Sequence, residues 1–152
     1  MLGTGWQLSG IYRRSTGSFI TIRTGLDRLY SGQADNQRPV QILENPYLDR
    51  DSLNYLNPNA FEQPAFGAMG NMRPFNVETP GTWQFDLGLS RIFQFRESQK
   101  VEFRAEAFNV TNSRRVATTI PDRFRTLNSN TFGQIDFAAD ARIMQFALKY
   151  AF

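Results

Sequence analysis

Strict alternation of large apolar and smaller or polar side chains over residues 142–152 constrains the fold of this chain more than any other feature. One parity carries Met144, Phe146, Leu148, Tyr150 and Phe152, and the other carries Ile143, Gln145, Ala147, Lys149 and Ala151. A period of two places residues of one parity on the same side of a β-strand, whereas an α-helix would scatter them around its axis. The pattern predicts a C-terminal β-strand with one strongly apolar face.

The same alternation recurs elsewhere in the chain and predicts an all-β protein. The predicted strands lie near residues 6–13, 18–25, 83–95, 100–110 and 142–152. The strand at 18–25 rests on Ile20 and Ile22 only, because Phe19 falls on the opposite parity. We therefore expect about five antiparallel up-and-down strands.

The connections between these strands are predicted to alternate between short and long. The turns near 14–17 and 96–99 are tight, whereas 26–82, which contains most of the prolines, and 111–141 read as long loops. Loops of this length are uncommon in compact soluble domains. They are typical of the extracellular side of an outer-membrane β-barrel, whose periplasmic turns are short.

A barrel also predicts the direction of each strand and the position of its aromatic residues. With the C-terminus at the periplasmic end, the strands at 6–13, 83–95 and 142–152 run towards the periplasm and the other two run outwards, so both long loops are extracellular. Two aromatic girdles, one at each membrane interface, are then expected. Trp6 and Trp83 would lie in the outer girdle, and Tyr12, Phe93 and Phe95 would lie in the inner one, with Tyr150 and Phe152.

Composition excludes several kinds of chemistry. The 152 residues include no cysteine and no histidine, so disulfides, thiolates, imidazole bases and the usual zinc ligands are absent. Glu102 and Glu106 on one strand would lie about 13 Å apart, too far for a glycosidase pair. Arg104 stands between them, which favours a charged ladder facing the lumen. We predict no enzyme activity, no cofactor and no metal, although calcium at Asp49-Arg50-Asp51 stays open.

The two long loops allow alternative interpretations. Basic residues interleaved with rings could bind single-stranded nucleic acid, but the neighbouring acids favour a solvated loop and no nucleic-acid partner. These residues are Arg114, Arg115, Arg123, Arg125, Phe124 and Phe132. The aromatic residues of the first loop could either form a ligand-binding mouth or pack the loop onto itself. They are Tyr30, Tyr47, Tyr55, Phe61, Phe66 and Phe75.

Several short motifs, taken in order, resemble the late barrel strands of TonB-dependent outer-membrane receptors of the Oar-like kind. They are Gly5-Trp6-Gln7-Leu8-Ser9-Gly10, Ser15-Thr16-Gly17, Gly25-Leu26-Asp27, Leu56-Asn57-Pro58-Asn59-Ala60-Phe61, Phe85-Asp86-Leu87-Gly88-Leu89-Ser90, Phe103-Arg104-Ala105-Glu106-Ala107-Phe108-Asn109 and Thr131-Phe132-Gly133-Gln134-Ile135. The closing stretch from Gln145 to Phe152 is similar to the C-terminal signal read by the barrel-assembly machinery.

The resemblance implies the C-terminal part of a large transmembrane barrel of about 22 strands, closed by an N-terminal plug domain. Such a receptor takes up scarce substrates actively, driven by TonB. The implied partners are outer-membrane lipid, the plug and remaining strands of a parent chain, the assembly machinery and, through the plug, TonB. Met1 is then not the true start of the gene product.

The resemblance also assigns roles to the last strand. Phe146, Leu148, Tyr150 and Phe152 would face the membrane and carry the assembly signal. The competing hypothesis is a soluble all-β ligand-binding module with aromatic loops, and a weaker one is an outer-membrane enzyme.

Overall fold

A computed structural model describes residues 5–152, and these form two compact units. The sheet unit comprises residues 5–15, Thr82–Arg115 and Asp140–Phe152. The loop unit comprises Thr16–Gly81 and Val116–Ala139. The chain thus alternates between the two units along its length.

The secondary structure of the described residues is dominated by strands. In chain order these are β1 (Trp6–Ser15), β2 (Phe19–Ile20), β3 (Val40–Gln41), β4 (Phe61–Glu62), β5 (Val77–Glu78), β6 (Thr82–Gln94), β7 (Lys100–Phe108) and β8 (Ile143–Ala151). A 3-10 helix covers Pro58–Ala60, and a short α-helix, α1, covers Asp122–Arg125. Within residues 5–152, no helix is both long and apolar enough to cross a bilayer.

The sheet unit is a four-stranded antiparallel sheet in the order β1-β6-β7-β8. Its register aligns apolar residues across the strands: Leu8 lies opposite Leu89, Leu89 opposite Ala105, and Ala105 opposite Phe146. Directly opposed side chains point to the same side of a sheet. The predicted antiparallel all-β fold is confirmed, and all four of its long strands begin and end within two residues of the predicted bounds.

The predicted strand at 18–25 is wrong. Only β2 is extended there, and it pairs with β5 inside the loop unit. Ile20 and Ile22 are buried in the core of that unit, which explains their spacing. An alternating sequence shows only that one side of the segment faces apolar surroundings. Those surroundings can be the core of a protein as well as lipid. The sheet of the described residues therefore has four strands rather than five.

This correction reverses the direction predicted for the first strand. β1 pairs with β6 and runs antiparallel to it, instead of forming a hairpin with 18–25. The segments 16–81 and 109–142 consequently both leave from one end of the sheet, which we term the loop end. The short turn 95–99 and the end of β8 lie at the opposite end, which we term the turn end.

The two segments predicted as long loops, 26–82 and 111–141, contribute to a common hydrophobic core, which agrees with the packing interpretation of the first loop. The core residues are Ile20, Ile22, Tyr55, Leu56, Ala60, Phe61, Met72, Val77, Phe124, Phe132 and Ile135. The rings of Phe61 and Phe132, one from each segment, meet edge to face at 5.4 Å between centroids. The loop unit is therefore held by the hydrophobic effect, as a small domain is.

Backbone hydrogen bonds join the same two segments. The amides of Tyr55 and Leu56 donate to the carbonyl of Gly133 at 2.9 and 3.1 Å, and the amide of Ile135 donates to Leu53 at 2.8 Å. Gly133 has a φ of 71°, and a Cβ there would lie 2.5 Å from Cβ of Leu56. Glycine is required at this crossing both for its backbone conformation and for its lack of a side chain.

Tyr55 lies at the centre of this core. It is 2% exposed, and its hydroxyl donates to the carbonyl of Glu78 at 3.0 Å. Burial disfavours the charged phenolate and raises the pKa of Tyr55 to about 12, against an ordinary value of 10.0. The phenol is therefore held in its neutral form throughout the physiological range of pH.

We predict that the loop unit loses stability as pH rises from about 10 to about 12. The unfolded chain releases the Tyr55 proton near pH 10.0, whereas the folded chain keeps it until about pH 12, so unfolding becomes more favourable across this window. Urea unfolding of the wild type and of Tyr55→Phe across these pH values measures the effect. Between pH 10 and pH 12, the free energy of unfolding of the variant should fall less than that of the wild type. An equal fall in both proteins would contradict the assignment of the raised pKa to Tyr55.

Candidate functional site: the two faces of the sheet

One face of the sheet is apolar on all four strands. Its residues are Trp6, Leu8, Gly10 and Tyr12 on β1, Trp83, Phe85, Leu87, Leu89 and Phe93 on β6, Val101, Phe103, Ala105 and Ala107 on β7, and Met144, Phe146, Leu148 and Tyr150 on β8. Many are exposed: Leu8 by 71% and Leu148 by 74% of their surface. A contiguous exposed apolar face of this kind marks a surface that contacts something other than water.

The residues predicted to carry the assembly signal lie together on this apolar face. Phe146, Leu148 and Tyr150 project from β8, and Phe152 follows directly after it with 91% of its surface exposed. The rings of Tyr150 and Phe152 stack with centroids 5.8 Å apart. β8 is also an edge strand of the sheet, so both its apolar face and one row of its backbone groups are available to a partner.

Aromatic residues gather at both ends of the apolar face, but in a different partition from the predicted one. Tyr12 lies beside Trp83 at the loop end, with ring centroids 6.3 Å apart. Trp6 lies with Phe93 at the turn end. Trp6 and Tyr12 have thus exchanged ends, because β1 runs opposite to the predicted direction. Phe95 lies in the turn itself and is 67% exposed.

Two arginines share the apolar face: Arg14 lies opposite Trp83 at the loop end, and Arg91 lies opposite Trp6 at the turn end. Arg91 is the buried one of the two. It is only 7% exposed, and its guanidinium lies 4.9 Å from the ring of Trp6 and 4.5 Å from the ring of Phe93. Electron-rich ring faces attract a cation, and this attraction strengthens where water is excluded. The sequence shows Arg91 only as an interruption of the apolar pattern; the cross-strand position of Trp6 explains how the charge is accommodated.

The opposite face of the sheet is polar, and a charged ladder runs along β7. Arg104 lies between Glu102 and Glu106, at 3.0 Å and 3.9 Å from their carboxylate oxygens. Gln145 on β8 donates to Glu106. The predicted ladder of paired charges is confirmed, and the side chains of both carboxylates are engaged by their neighbours.

A buried carboxylate lies at the loop end of the polar face, and the sequence pattern does not indicate it. Asp86 is 8% exposed and accepts hydrogen bonds from Arg13 at 2.5 Å, Gln84 at 2.6 Å and the backbone amide of Asn109 at 2.8 Å. Three donors offset the loss of water around the charge. Asp86 thereby ties β1, β6 and the end of β7 together, a role that no local sequence pattern indicates.

Asn109 forms the exit from β7. It is buried, adopts a φ of 52°, and its side chain exchanges hydrogen bonds with Ser113 on both sides: Oδ1 accepts from the Ser113 amide at 3.0 Å and Nδ2 donates to its carbonyl at 3.1 Å. Asparagine tolerates this left-handed conformation better than most residues. The stretch Asn109-Val110-Thr111, which formally matches a glycosylation acceptor, therefore belongs to a structural turn.

Two of the four basic residues named for the second loop segment are paired with carboxylates. Arg123 makes two hydrogen bonds of 2.9 Å to Asp136, and Arg125 pairs with Asp122. The pKa of Asp136 is held below its ordinary value by the hydrogen bond from Arg123. Phe124 is fully buried in the loop-unit core, so it offers no free ring on which a base could stack.

The acidic residues considered for calcium are also engaged. Asp49 accepts a hydrogen bond from the amide of Asp51 at 2.9 Å, while Arg50 lies 3.9 Å from the ring of Tyr47 and 3.8 Å from Glu78. Within residues 5–152, no three acidic side chains converge as a metal site.

A family model described as an outer membrane beta barrel domain matches residues 1–145. The chain belongs to this family. An outer membrane β-barrel domain resides in the bacterial outer membrane, and the family is structural rather than enzymatic. The alternative of a soluble ligand-binding module is therefore wrong, because the localisation that it requires is not that of the family.

No curated protein and no solved structure matches the chain. The family assignment, which rests on residues 1–145, agrees with the apolar face that the strand register produces.

Proposed function

We propose that this outer membrane β-barrel domain forms the last part of the wall of a TonB-dependent receptor that takes up its substrate actively. The observation that carries the barrel role is the continuous apolar face over four antiparallel strands. The resemblance of the ordered motifs to TonB-dependent receptors supports the finer assignment. In this proposal the apolar face contacts lipid, the polar face lines the lumen, and the chain is not an enzyme.

The edges of the sheet support its place in a larger barrel. β1 and β8 each pair on one side only within residues 5–152. A membrane-spanning sheet must satisfy all of its backbone groups internally, and the smallest such barrels have about eight strands. We infer that strands of a parent chain pair with both edges, and that its plug domain closes the lumen.

The dimensions of the apolar face fit a bilayer. The rise from Trp83 to Phe93 is about 25 Å for a strand of about 3.3 Å per residue tilted by about 40°. This equals the height of the apolar band of outer-membrane barrels. Trp83 and Tyr12 would then lie at one interface, and Phe93 and Trp6 at the other.

The lengths of the connections between strands support one orientation of the sheet in the membrane. Outer-membrane barrels have short turns on the periplasmic side and long loops outside. The turn 95–99 and Phe152 would therefore face the periplasm, and the loop unit would face the external medium. The loop unit would supply part of the receptor's extracellular mouth.

Two adjacent residues of β8 test which face meets lipid. The chain has no cysteine, so Leu148→Cys and Lys149→Cys each introduce a single labelling site. In the full-length protein in membranes, a spin label at 148 should collide more often with oxygen, which dissolves in lipid, and one at 149 more often with a water-soluble nickel complex. Equal accessibility of the two sites would contradict a lipid-facing apolar face.

Deletion of Phe152 tests the proposed assembly signal. If the barrel-assembly machinery recognises the exposed end of β8, the deletion should lower the amount of full-length parent protein in the outer membrane several-fold. Quantitative blotting of membrane fractions measures this, with Phe95→Ala as control, since Phe95 is also an exposed aromatic residue at the turn end. Unchanged abundance after the deletion would remove Phe152 from the signal.

Crosslinking tests the receptor role itself. A full-length parent that depends on TonB should form a crosslinked product with it in energised cells, through the plug domain. The product should disappear in a strain lacking TonB. An outer-membrane protein that assembles normally and yields no such product would be a barrel of another kind.

A further inference from the structure

The aromatic residues of the first loop segment divide into an inward and an outward group. Tyr55 and Phe61 are buried and Tyr47 is partly buried, whereas Tyr30, Phe66 and Phe75 are exposed by 75%, 66% and 69%. The two interpretations left open by the sequence, core packing and a binding mouth, are thus divided between different residues. The outward group lies outside the hydrophobic core of the loop unit.

Two of the outward residues form a platform, which we define as the rings of Tyr30 and Phe66. Their planes are inclined by 20° and their centroids lie 5.7 Å apart. The guanidinium of Arg28 lies 4.5 Å from the Phe66 ring. Rings in contact with each other leave no slot between them, so a ligand must lie across their outer faces.

The loop that presents Tyr30 is held rigidly by a hydrogen-bonded hub at Asp27. Its carboxylate accepts from the amides of Ser31 at 3.1 Å and Gly32 at 2.7 Å, and from the side chain of Gln37. Burial acts to raise the pKa of Asp27, but these hydrogen bonds outweigh it and hold the pKa below its ordinary value. Gln37 in turn accepts from the amide of Arg28 at 2.7 Å.

The platform is also fixed from the Phe66 side. The amide of Gly67 donates to the carbonyl of Arg28 at 2.8 Å, so the two ring-bearing segments are joined beside the rings. Tyr30 adopts a φ of 55°, a conformation that tyrosine rarely takes. Strained backbone of this kind persists only where surrounding contacts fix it, and it clusters at ligand-binding positions. Rings that already have a fixed orientation before binding lose little conformational entropy when a ligand binds.

A small cleft is lined by the same two segments. Its volume is about 40 Å³, and its walls include Leu29, Asn36, Gln37, Arg38, Pro64 and Met69. A cleft of this size accepts a hydroxyl-sized group. The amide of Gln37 is engaged by Asp27 and by the Arg28 amide, so it fixes the wall of the cleft.

The chemistry of the platform favours a sugar. Ring faces carry negative charge density and attract weakly positive C–H groups, such as those on the flat side of a pyranose. The carboxylate of Asp27 is occupied by its own donors, and the polar group that lies against the rings is the guanidinium of Arg28. Its N–H groups are donors that suit the hydroxyl oxygens of a sugar.

We propose that the Tyr30–Phe66 platform binds a pyranose ring of an external carbohydrate, with the guanidinium of Arg28 donating to its hydroxyl oxygens. This inference rests on the proposed function for the exposure of the loop unit outside the cell. It names the substrate class that such a receptor would capture. The platform lies entirely within the loop unit.

Saturation-transfer NMR on the full-length protein in detergent tests the proposal. The probes are methyl β-glucopyranoside, methyl β-galactopyranoside and methyl α-mannopyranoside, with indole as a planar comparison. We expect transfer to the C–H protons of one face of at least one pyranoside. No transfer to any of the three sugars, or transfer to indole alone, would overturn the proposal.

Three substitutions locate the site. Tyr30→Asn removes one ring while keeping a residue that tolerates the positive φ, and Phe66→Leu removes the other while keeping an apolar side chain. Each should weaken sugar binding about two- to tenfold, the range expected for one aromatic contact. Phe75→Leu is the matched control, since Phe75 is equally exposed and has a φ of 52°, and it should bind sugar as the wild type does. Equal binding by all three variants would exclude the platform.

The outcome is separable from that of the proposed function. Sugar binding by the purified protein does not require TonB. Retained sugar binding without a TonB crosslink would overturn active uptake alone. A TonB crosslink without sugar binding would overturn only the platform's assignment.

Discussion

The register of the four long strands is the constraint on which the sheet unit depends. Because the side chains of a strand alternate with a period of two, a slip of one residue between β6 and β7 would place Leu87 and Leu89 opposite Glu106 and Arg104. The observed register instead collects most of the large apolar side chains on one face and most of the charges on the other. Asp86 contributes to this alignment at the loop end, since it binds groups from β1, β6 and the end of β7.

Much of the sheet could be predicted from the sequence, because alternation is a local property. The strands β6, β7 and β8 and the two faces of each follow from residue type alone, and so does the family of barrels to which they belong. The partner of β1 did not follow, since Ile20 and Ile22 imitate a membrane strand while packing into a protein core. Both environments are apolar on one side, so periodicity does not distinguish them.

The structure of the loop unit is harder to predict from sequence patterns than that of the sheet. Its core depends on contacts such as Phe61 with Phe132 and Tyr55 with Gly133, which are distant in sequence. Proline-rich segments read as open loops because their secondary structure is short, although their aromatic residues supply a core. The same holds for the Asp27 hub and the Tyr30–Phe66 platform, where a side chain's role depends on which neighbours the fold brings to it.

The order of segments in the loop unit has a consequence for biogenesis. Its first segment, 16–81, is synthesised well before 116–139, and the hairpin of β6 and β7 lies between them in the chain. The first segment therefore emerges with Tyr55 and Phe61 lacking the rings of Phe124 and Phe132, their partners from the second segment, so these apolar side chains lack part of their core until the second segment joins them. Joining the two segments closes a loop of chain that contains the β6–β7 hairpin, and this closure lowers the conformational entropy of everything between them.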